Sequence, residues 1–546
     1  MWWQNGVIYQ IYPRSFKDSN EDGIGDLKGI IQKLDYLNDG TRNSLGIDGI
    51  WISPFFKSPM KDFGYDISDY REIDPMFGTI EDFKLLLEEA HKRGIHIIID
   101  LVLNHTSDEH PWFLESKKDN TNPKADWYLW HAGVNGKKPN NWFAQFEIKN
   151  AWWYNSERKE FFLGTFTRHQ PELNWRNPEL RKEMFDIVRY WLDMGVDGFR
   201  LDVINWFIKD DQFRCNPYVL KGPDFQNHIY DRNRPETIEI CKELRKITDS
   251  YEERMLVGEV YTDNPAIASS YYGDNNDGLH MAFNFNFLFQ PWNAMKIYKS
   301  ILQWYENLSE KAWPNFTFSN HDNLRHFYRY KNNEWSDARA RVAAVLLITL
   351  KGTPFIYYGE ELGMTGGKLR RKDLVDPLSI KTWPLKIHRR DLARTPMQWN
   401  SAINAGFSEI KPWLPLDSKY TINNVEIQEK KENSLLHFYK KLIWMRRDFV
   451  ALQTGSIKFI EDYLPNAIIY EREQGIEKIL IALNFTKKNI AFRYKKDSKK
   501  ETNISKSEIL LSSYGVENQL VNLEGTIDIK PYEAIIIKLQ SENNQK

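Results

Sequence analysis

Short apolar segments alternate with amphipathic segments over most of the chain. Stretches such as 80–90 and 179–194 return apolar residues at helical spacing, so they predict amphipathic helices. The eight apolar segments are short and rich in β-branched and aromatic residues: 7–11, 47–52, 95–101, 196–201, 255–260, 281–285, 316–319 and 354–358. Strands that alternate with helices predict parallel βαβ units, and this number of strands predicts a closed (β/α)8 TIM barrel of the α/β class.

Two long segments interrupt the alternation. Residues 105–175 are rich in Asn, Trp, Lys and Pro and lack a long helical pattern. We therefore expect a small inserted lid domain after the third strand, between barrel portions 1–104 and 176–455. The second segment, 360–434, is a long loop after the eighth strand. Its part 366–394 holds nine Lys or Arg against three Asp; we interpret it as a solvated loop, and a specific anion or partner site is the alternative.

The pattern changes after a helix predicted at 435–447. Turn residues then separate short alternating strands without a helical period: 467–470, 479–484 and 534–537. This pattern predicts an antiparallel β-sandwich as the C-terminal domain, 456–546. We expect the polar end of the chain, 541–546, to be disordered.

Composition and charge exclude several classes of partner. The chain has 546 residues with 74 Lys plus Arg against 75 Asp plus Glu, so it lacks the basic excess that nucleic acid or an anionic membrane surface requires. The longest apolar run, 342–350, is far too short to span a bilayer, and the N-terminus has no secretion-signal pattern. Cys215 and Cys241 are interpreted as ordinary buried thiols. We expect a cytoplasmic protein without a nucleic-acid or membrane partner.

Charged side chains follow several predicted strands at the ends that meet at the mouth of a barrel. Carboxylates follow strands four, five and seven: Asp202, Glu259 and Asp322. Basic residues lie near these strand ends in the sequence: His105, Arg200 and His321. A trio of carboxylates serves either a metal cluster or acid, base and nucleophilic chemistry at an acetal. We expect these groups to form the reactive centre.

Acetal cleavage requires different protonation of two carboxyl groups. One attacks the anomeric carbon as an anion, and the other must be protonated so that it can donate to the leaving oxygen. Crowding of like charges and partial desolvation raise a carboxyl pKa for the second task. Arg200 stands two residues before Asp202 and on the same side of the strand, so we expect it to keep that carboxylate ionised.

The segment 18–26 repeats oxygen-bearing side chains at every second position, with Gly for a tight turn. Such spacing is typical of a Ca²⁺ loop, although the twelfth position, where an EF-hand has Glu, is Gly29. The pattern predicts a short structural Ca²⁺ or Mg²⁺ site with these ligands: Asp18, Asn20, Asp22, the Ile24 carbonyl and Asp26. An Asn- and Asp-rich turn without metal is the alternative. No organic cofactor is expected.

Four motifs at the strand ends resemble those of the α-amylase family of retaining glycoside hydrolases. They are 100–105 (DLVLNH), 198–202 (GFRLD), Glu259 and 320–322 (NHD), and the resemblance extends over nearly the whole chain. Three further segments are most similar to the exo-acting α-glucosidases and oligo-1,6-glucosidases of that family: 62–70, 170–175 and 393–399. The resemblance implies a barrel enzyme that releases terminal α-linked glucose from small oligosaccharides with retention of configuration.

The resemblance also implies a role for each matching residue. Asp202 is the expected nucleophile, Glu259 the general acid and then base, and Asp322 the stabiliser of the transition state. In the exo-acting branch, a pair corresponding to Asp62 and Arg394 closes the pocket behind the non-reducing glucose. Further sugar-binding roles fall on residues of the barrel mouth and the lid domain: Tyr65, His105, Phe143, Phe166, Gln170 and His321.

The preferred linkage and the fate of the intermediate stay open. Val203 follows the nucleophile, and a valine there accompanies α-1,6 preference in oligo-1,6-glucosidases. We therefore favour α-1,6 over a broader α-1,4-glucosidase or a trehalose-cleaving enzyme. A glucosyl-transferring isomerase of the sucrose isomerase or trehalose synthase type keeps the same carboxylates and is the other alternative. A non-catalytic, transporter-associated barrel is disfavoured because the carboxylates are present. We expect a monomer or weak homo-oligomer.

Overall fold

The barrel strands lie in one sheet. The structure is a computed structural model that describes residues 1–220, 225–384, 389–494, 507–523 and 525–540. Its parallel strands β1 to β8 are Ile8–Ile11, Gly49–Ile52, His96–Leu101, Gly198–Leu201, Met255–Gly258, Met281–Ala282, Asn315–Thr317 and Thr353–Tyr357. Their order, β6-β5-β4-β3-β2-β1-β8-β7, places chain neighbours side by side and joins β1 to both β2 and β8. This near-closed barrel confirms the predicted fold.

Helices alternate with the strands as the pattern predicts. The main helices α1 to α8 are Leu27–Ile31, Ile80–Lys92, Pro178–Asp193, Glu236–Thr248, Pro265–Ser270, Ala294–Asn307, Ser336–Thr349 and Leu435–Asp448. Thr79 and Asp82 form a capping box at the start of α2, which buries an apolar stripe of Phe83, Leu86, Leu87 and Ala90. Over the described ranges, no helix is long and apolar enough to cross a membrane.

The sixth strand is shorter than predicted. The apolar run 281–285 suggests a strand of five residues, but β6 ends at Ala282 and a helical turn, Phe285–Leu288, follows. Asn284 ends the extended segment because its side chain accepts a hydrogen bond from the backbone N–H of Phe287.

The segment predicted as the lid domain, 105–175, leaves the barrel after β3 and rejoins it before α3. It contains the helix Pro111–Ser116 and an antiparallel sheet in the order Trp130–His131, Glu160–Leu163 and Trp152–Asn155, with a hairpin of Phe143–Ala144 and Lys149–Asn150. Trp142, Trp152 and Leu163 belong to a small core of its own. A bridge between His105 and Glu172 joins the two ends of the segment close to the carboxyl end of β3.

The C-terminal residues form two antiparallel sheets. Strands β9 to β16 are Ser456–Ile460, Ala467–Gln474, Glu477–Asn484, Ile490–Arg493, Ser507–Ser512, Gln519–Val521, Thr526–Ile529 and Ala534–Leu539. One sheet has the order β9-β10-β11-β16-β13-β14, and β12 pairs with β15 in the other. Ile469, Leu480 and Ile537 of the first sheet pack with Phe492 and Ile527 of the second. The predicted sandwich is confirmed; the predicted disordered end, 541–546, lies outside the described residues.

The loop after β8 is built from short helical turns. They are Arg371–Asp373, Pro377–Lys381, Arg390–Ala393, Ile403–Gly406, Ser418–Thr421 and Val425–Glu429. The basic stretch 366–394 belongs to this loop, and its residues 385–388 lie outside the described part of the chain. Arg390 and Arg394 at its end are both buried.

The two cysteines are both free but differ in exposure. Cys241 is buried in α4, as expected. Cys215 is exposed in the connection between β4 and α4, so the interpretation of it as a buried thiol is wrong.

Candidate active site

One buried arginine gathers carboxylates at the mouth of the barrel. Arg200 of β4 is 1 % exposed, and its guanidinium donates to Asp100 and Asp202 at 2.7 Å each and also to Glu259. The parallel register explains this convergence. Arg200 lies beside Asp100 of β3, while Asp202 and Glu259 directly follow the ends of β4 and β5. The expected nucleophile and the expected acid therefore both contact the same guanidinium.

Two carboxyl groups that contact Arg200 have raised pKa values. Burial raises the pKa of Asp202 well above its usual range; Arg200 opposes the shift, and Glu259 and Asp100 add to it. Burial also raises the pKa of Asp100 to about 6. Arg200 acts on Asp202 in the expected direction, but burial and the two neighbouring carboxylates outweigh it in the net shift of the Asp202 pKa.

Asp322, after β7, is held as an anion by two other arginines. Its Oδ1 accepts from Arg390 Nε at 2.8 Å and from Arg394 Nη2 at 2.9 Å. Enclosure in the pocket disfavours the charge, but the permanently charged Arg390 and Arg394 hold the pKa of Asp322 well below its usual range. Its side chain is 32 % exposed, so the carboxylate can also meet a ligand.

The ion pair expected between Asp62 and Arg394 is not the one that forms. Asp62 Oδ1 lies 3.5 Å from Arg390 Nη1, while Arg394 donates to Asp322 and, through Nε, to the His321 carbonyl at 3.0 Å. This corrects the prediction: Arg394 is in the pocket, but it pairs with the carboxylate after β7. Arg390 contacts both carboxylates because its guanidinium lies between them.

Arg390 is a site residue that the sequence reasoning missed. Its Nη1 also donates to the buried Asp376 at 3.0 Å, and its guanidinium lies 4.6 Å from the Phe146 ring centroid. The interpretation of the basic stretch as a solvated loop is therefore wrong for this residue. A signal was present in the sequence: Arg390 precedes Arg394 by four residues, so one helical turn places both side chains on one face.

Tyr65 and His321 connect the two carboxylate groups. Tyr65 Oη lies 2.9 Å from Asp100 Oδ2 and 2.7 Å from His321 Nε2, and the two rings are stacked with centroids 5.2 Å apart. Burial lowers the pKa of His321 well below its usual range, so the imidazole is neutral. The structure therefore joins two predicted sugar-binding residues in one hydrogen-bonded chain.

The lid segment reaches the pocket through Gln170. Its Nε2 donates to Asp62 Oδ2 at 3.1 Å and lies 3.1 Å from His105 Nε2. His105 Nε2 also lies 3.1 Å from the Tyr65 carbonyl oxygen, and burial lowers the pKa of His105 to about 3. These four predicted residues thus meet at one place, and all are buried.

The aromatic wall of the pocket includes one ring that the sequence reasoning did not predict. Phe166 packs with Val203 and Trp206 and lies 5.2 Å from the His105 ring. Phe143 lies in a two-residue strand that pairs with Lys149–Asn150. It is Phe146 that contacts Phe166, at 5.6 Å between centroids, and Arg390. Phe146 is therefore a ring of this wall that the sequence reasoning missed, and the role of Phe143 stays a prediction.

Val203 has a strained backbone. Its φ is +36°, a left-handed conformation that is rare for a β-branched residue. The turn lets Val203 N–H approach Glu259 Oε2 at 3.3 Å and lets Ile204 N–H donate to the Glu259 carbonyl at 3.1 Å. The residue after the expected nucleophile is thereby fixed against the expected acid.

The predicted metal loop, 18–26, is closed by its own hydrogen bonds. The Asp18 carboxylate accepts from the backbone N–H groups of Asn20, Glu21 and Gly23. Asp26 caps α1 through the Gly29 N–H. Within the described residues, no group of three or more His, Cys, Asp or Glu is placed to hold a metal ion. The carboxylates of the loop are thus not gathered for a cation, and metal binding stays a prediction.

The chain matches a known family and several proteins over nearly its whole length. The family model described as "Alpha amylase, catalytic domain" matches residues 10–455. The chain belongs to the α-amylase family. Within the family, it is 38 % identical to the oligo-1,6-glucosidase of Parageobacillus thermoglucosidasius over 571 residues, which cover 99 % of both chains. It is 41 % identical to a probable alpha-glucosidase of Rhizobium meliloti (strain 1021) over 500 residues, 89 % of both chains.

A solved structure gives the same result for the fold. The crystal structure of an alpha-glucosyl transfer enzyme has a TM-score of 0.90 to this chain at 37 % identity, with 99 % of each chain covered. The α-amylase resemblance inferred from the motifs is therefore confirmed.

Proposed function

We propose that this protein is an exo-acting α-glucosidase that hydrolyses terminal, non-reducing α-linked glucose from short oligosaccharides with retention of configuration, α-1,6 linkages being favoured. The observation that carries the proposal is the convergence of Asp202 and Glu259 on Arg200, beside an ionised Asp322. Similarity over the whole chain to an oligo-1,6-glucosidase supports the same chemistry.

The contact of Asp202 and Glu259 with one guanidinium suits the first step of a retaining mechanism. In that step Glu259 is the protonated acid, and Asp202 is the carboxylate that attacks the anomeric carbon. The glycosidic oxygen leaves with the proton of Glu259, and a glucosyl ester forms on Asp202. Water then gives a proton to Glu259 and bonds to the anomeric carbon as the ester breaks. Two inversions at that carbon retain its configuration.

Asp322 supplies negative charge where the sugar becomes positive. The transition state of glycoside cleavage resembles an oxocarbenium ion, which a fixed anion stabilises. Arg390 and Arg394 hold Asp322 in its ionised form, and its exposed part can accept hydrogen bonds from sugar hydroxyl groups. Its contribution therefore requires no proton transfer.

The exo mode rests on the buried polar end of the pocket. Asp62, His105 and Gln170 are each almost fully buried and lie within hydrogen-bond distance through Gln170. We propose that they bind the hydroxyls of one terminal glucose and stop the substrate there. A chain extending past that sugar would have to displace these groups.

Glucosyl transfer is the alternative, because a relative of nearly the same fold is an alpha-glucosyl transfer enzyme. Transfer and hydrolysis use the same glucosyl ester and differ only in whether a sugar or water attacks it. The carboxylates therefore do not separate the two activities.

Product analysis separates them. Isomaltose, maltose, trehalose and sucrose are supplied separately at millimolar concentration, and products are followed over time. We expect glucose, released fastest from isomaltose. Fast cleavage of maltose or trehalose would point to a broader α-glucosidase, and isomerised disaccharide in place of glucose would replace hydrolysis by transfer.

Two variants test the residue roles in the same assay. Asp202→Ala should lose hydrolysis almost completely; near-normal activity would refute the nucleophile assignment. Glu259→Gln should slow glucosides with poor leaving groups far more than activated aryl glucosides, because only the former need the proton. Equal slowing of both classes would contradict the acid assignment.

Three smaller proposals follow from the sequence pattern. Oxygen spacing in 18–26 supports a structural Ca²⁺ or Mg²⁺, whereas the backbone bonds of Asp18 oppose it. A cytoplasmic location is consistent with the free, exposed thiol of Cys215. Cell fractionation tests this location. A monomer or weak homo-oligomer is expected, and light scattering measures it.

A further inference from the structure

Gln10 is a buried amide at the bottom of the pocket that the mechanism above does not use. It lies in β1, is 1 % exposed, and its side chain lies between residues that follow two other strands. Its Nε2 lies 3.1 Å from Ser53 Oγ and 2.9 Å from His321 Nδ1. Its Oε1 has no hydrogen-bond partner among the described residues. The amide therefore meets the imidazole through its NH₂ group.

The neighbouring hydrogen bonds fix which atom carries each proton. Asp100 accepts from Arg200 Nη1 at 2.7 Å and from Trp51 Nε1 at 3.2 Å, so it is an acceptor. Tyr65 has one hydroxyl proton, and its Oη lies 2.9 Å from Asp100 Oδ2. That proton goes to the carboxylate, since a carboxylate has none to offer. Tyr65 Oη must then accept from its second neighbour, His321 Nε2 at 2.7 Å.

The same assignment of donors and acceptors gives the tautomer of His321. A neutral imidazole carries one ring proton, and burial lowers the pKa of His321 so that the ring is neutral. If Nε2 carries the proton, Nδ1 is a bare acceptor. Gln10 presents an N–H donor to that nitrogen. Both ends of the imidazole therefore agree on the Nε2–H form.

Aromatic rings hold the His321 imidazole in place, so its tautomer is what can still change. Tyr12 and Tyr65 lie nearly parallel to the imidazole, with interplanar angles of 8° and 10°, and Trp51 meets its edge. Charged groups that face it are Asp322, whose Oδ2 is 3.3 Å from Nε2, and three arginines: Arg200, Arg390 and Arg394. The position of the ring proton therefore decides whether Nε2 presents a donor or an acceptor to the pocket.

We propose that Gln10 is a positioning residue that holds His321 in the Nε2–H tautomer, so that the imidazole presents a donor to the glucosyl ring and to Asp322. In the opposite tautomer the lone pair of Nε2 faces the Asp322 carboxylate and Tyr65 has to turn its proton away from Asp100. Arg200 then shares less of its charge with Asp202. This inference rests on the proposed hydrolysis of glucosides.

The test reads the proton directly and does not depend on turnover. The full chain is labelled with [¹⁵N]histidine, and long-range ¹H–¹⁵N correlation spectra identify the tautomer of His321, assigned by its absence in His321→Gln. We expect Nε2–H in the wild type. Gln10→Glu places an acceptor opposite Nδ1 and should shift the proton to Nδ1. Gln10→Met removes the donor without adding an acceptor and should give a mixture.

Activity links the tautomer to the reaction. Gln10→Glu should lower kcat/KM for isomaltose about 10- to 100-fold, and Gln10→Met should lower it less, with both variants folded at the assay temperature. Gln303→Glu, the same change on the exposed face of α6, is the matched control and should alter neither spectrum nor rate. An Nδ1–H wild type, or Gln10 variants with wild-type spectra and rates, would overturn the inference. An Nε2–H wild type that releases no glucose would refute the proposed function instead.

Discussion

The Arg390→Met variant tests whether Arg390 or Arg394 is the ion-pair partner of Asp62 in the pocket. The motif resemblance pairs Asp62 with Arg394, whereas the structure places Arg390 between Asp62 and Asp322. Methionine keeps most of the length and apolar stem of arginine but removes the guanidinium. The change therefore removes three ion contacts, including the one to Asp376, with little loss of packing.

The expected magnitude follows from burial. The side chains of Arg390, Asp62 and Asp376 are 6 %, 4 % and 0 % exposed, so removal of the guanidinium deprives two buried carboxylates of their ion-pair partner. Breaking such a pair costs about 3–5 kcal/mol of stability. A charge-assisted hydrogen bond is worth about 1.5–3 kcal/mol, so loss of the bond to Asp322 should lower kcat/KM about 10- to 100-fold. Arg394 retains the rest of the hold on Asp322.

The pH dependence of kcat/KM should shift in a defined direction. Arg390 and Arg394 hold the pKa of Asp322 below its usual range, so its ionised form persists as pH falls. Without Arg390 that pKa rises, and the protonated, inactive form appears at higher pH. The acid limb of kcat/KM should therefore move to higher pH in Arg390→Met.

A double-mutant cycle with Asp62→Asn completes the assay. We expect coupling of about 1 kcal/mol or more between positions 62 and 390, and a smaller coupling between 62 and 394. Arg370→Met is the matched control: Arg370 lies in the same loop, is 70 % exposed and pairs only at the surface with Asp373, so its loss should change little. Wild-type kcat/KM and acid limb in Arg390→Met, or coupling of Asp62 to Arg394 alone, would refute the reasoning.

Three further outcomes are expected. Val203→Ala removes two methyl groups and should lower the ratio of kcat/KM for isomaltose over maltose about 10-fold or more, since one methyl group contributes about 1–3 kcal/mol to selectivity; an unchanged ratio contradicts the role of Val203. Burial raises the pKa of Glu361 to about 7 although Tyr9 and Tyr36 donate to it. The folded state therefore binds a proton that the unfolded state loses above its lower pKa, and stability falls as pH rises between the two. Glu361→Gln should remove that loss, gaining up to about 3 kcal/mol in urea unfolding at pH 8 and little at pH 4, and an equal effect at both pH values refutes it. If the 18–26 loop binds calcium, excess Ca²⁺ should raise Tm above that in EDTA, and identical Tm values refute a stabilising ion.

The sequence predicted most of the reactive centre, for a physical reason. Residues that directly follow parallel strands share one end of the barrel, so the motifs at Asp202, Glu259 and Asp322 predict a meeting point without coordinates. Arg200 is in register with Asp100, and the period of two along a strand places it beside Asp202. These contacts depend on local spacing and on strand order alone.

Contacts made by long loops were predicted less well. Phe146, which the sequence reasoning missed, contacts Phe166, because a hairpin of a few residues decides which ring turns inward. Arg390 was assigned to solvent because a run of basic residues is normally exposed. Its burial depends on the path of a loop that brings it back to three carboxylates from distant parts of the chain.

The sequence by itself determined the barrel, the sandwich and the identity of the reactive carboxylates, because periodicity and strand ends are local properties. Only the tertiary structure decided how protons and charges are shared among them. The pKa of Asp202 depends on burial and on two carboxylates from neighbouring strands, and the tautomer of His321 depends on an amide in β1. Electrostatic energy in a buried pocket depends on distances between groups, and those distances exist only once the chain has closed into the barrel.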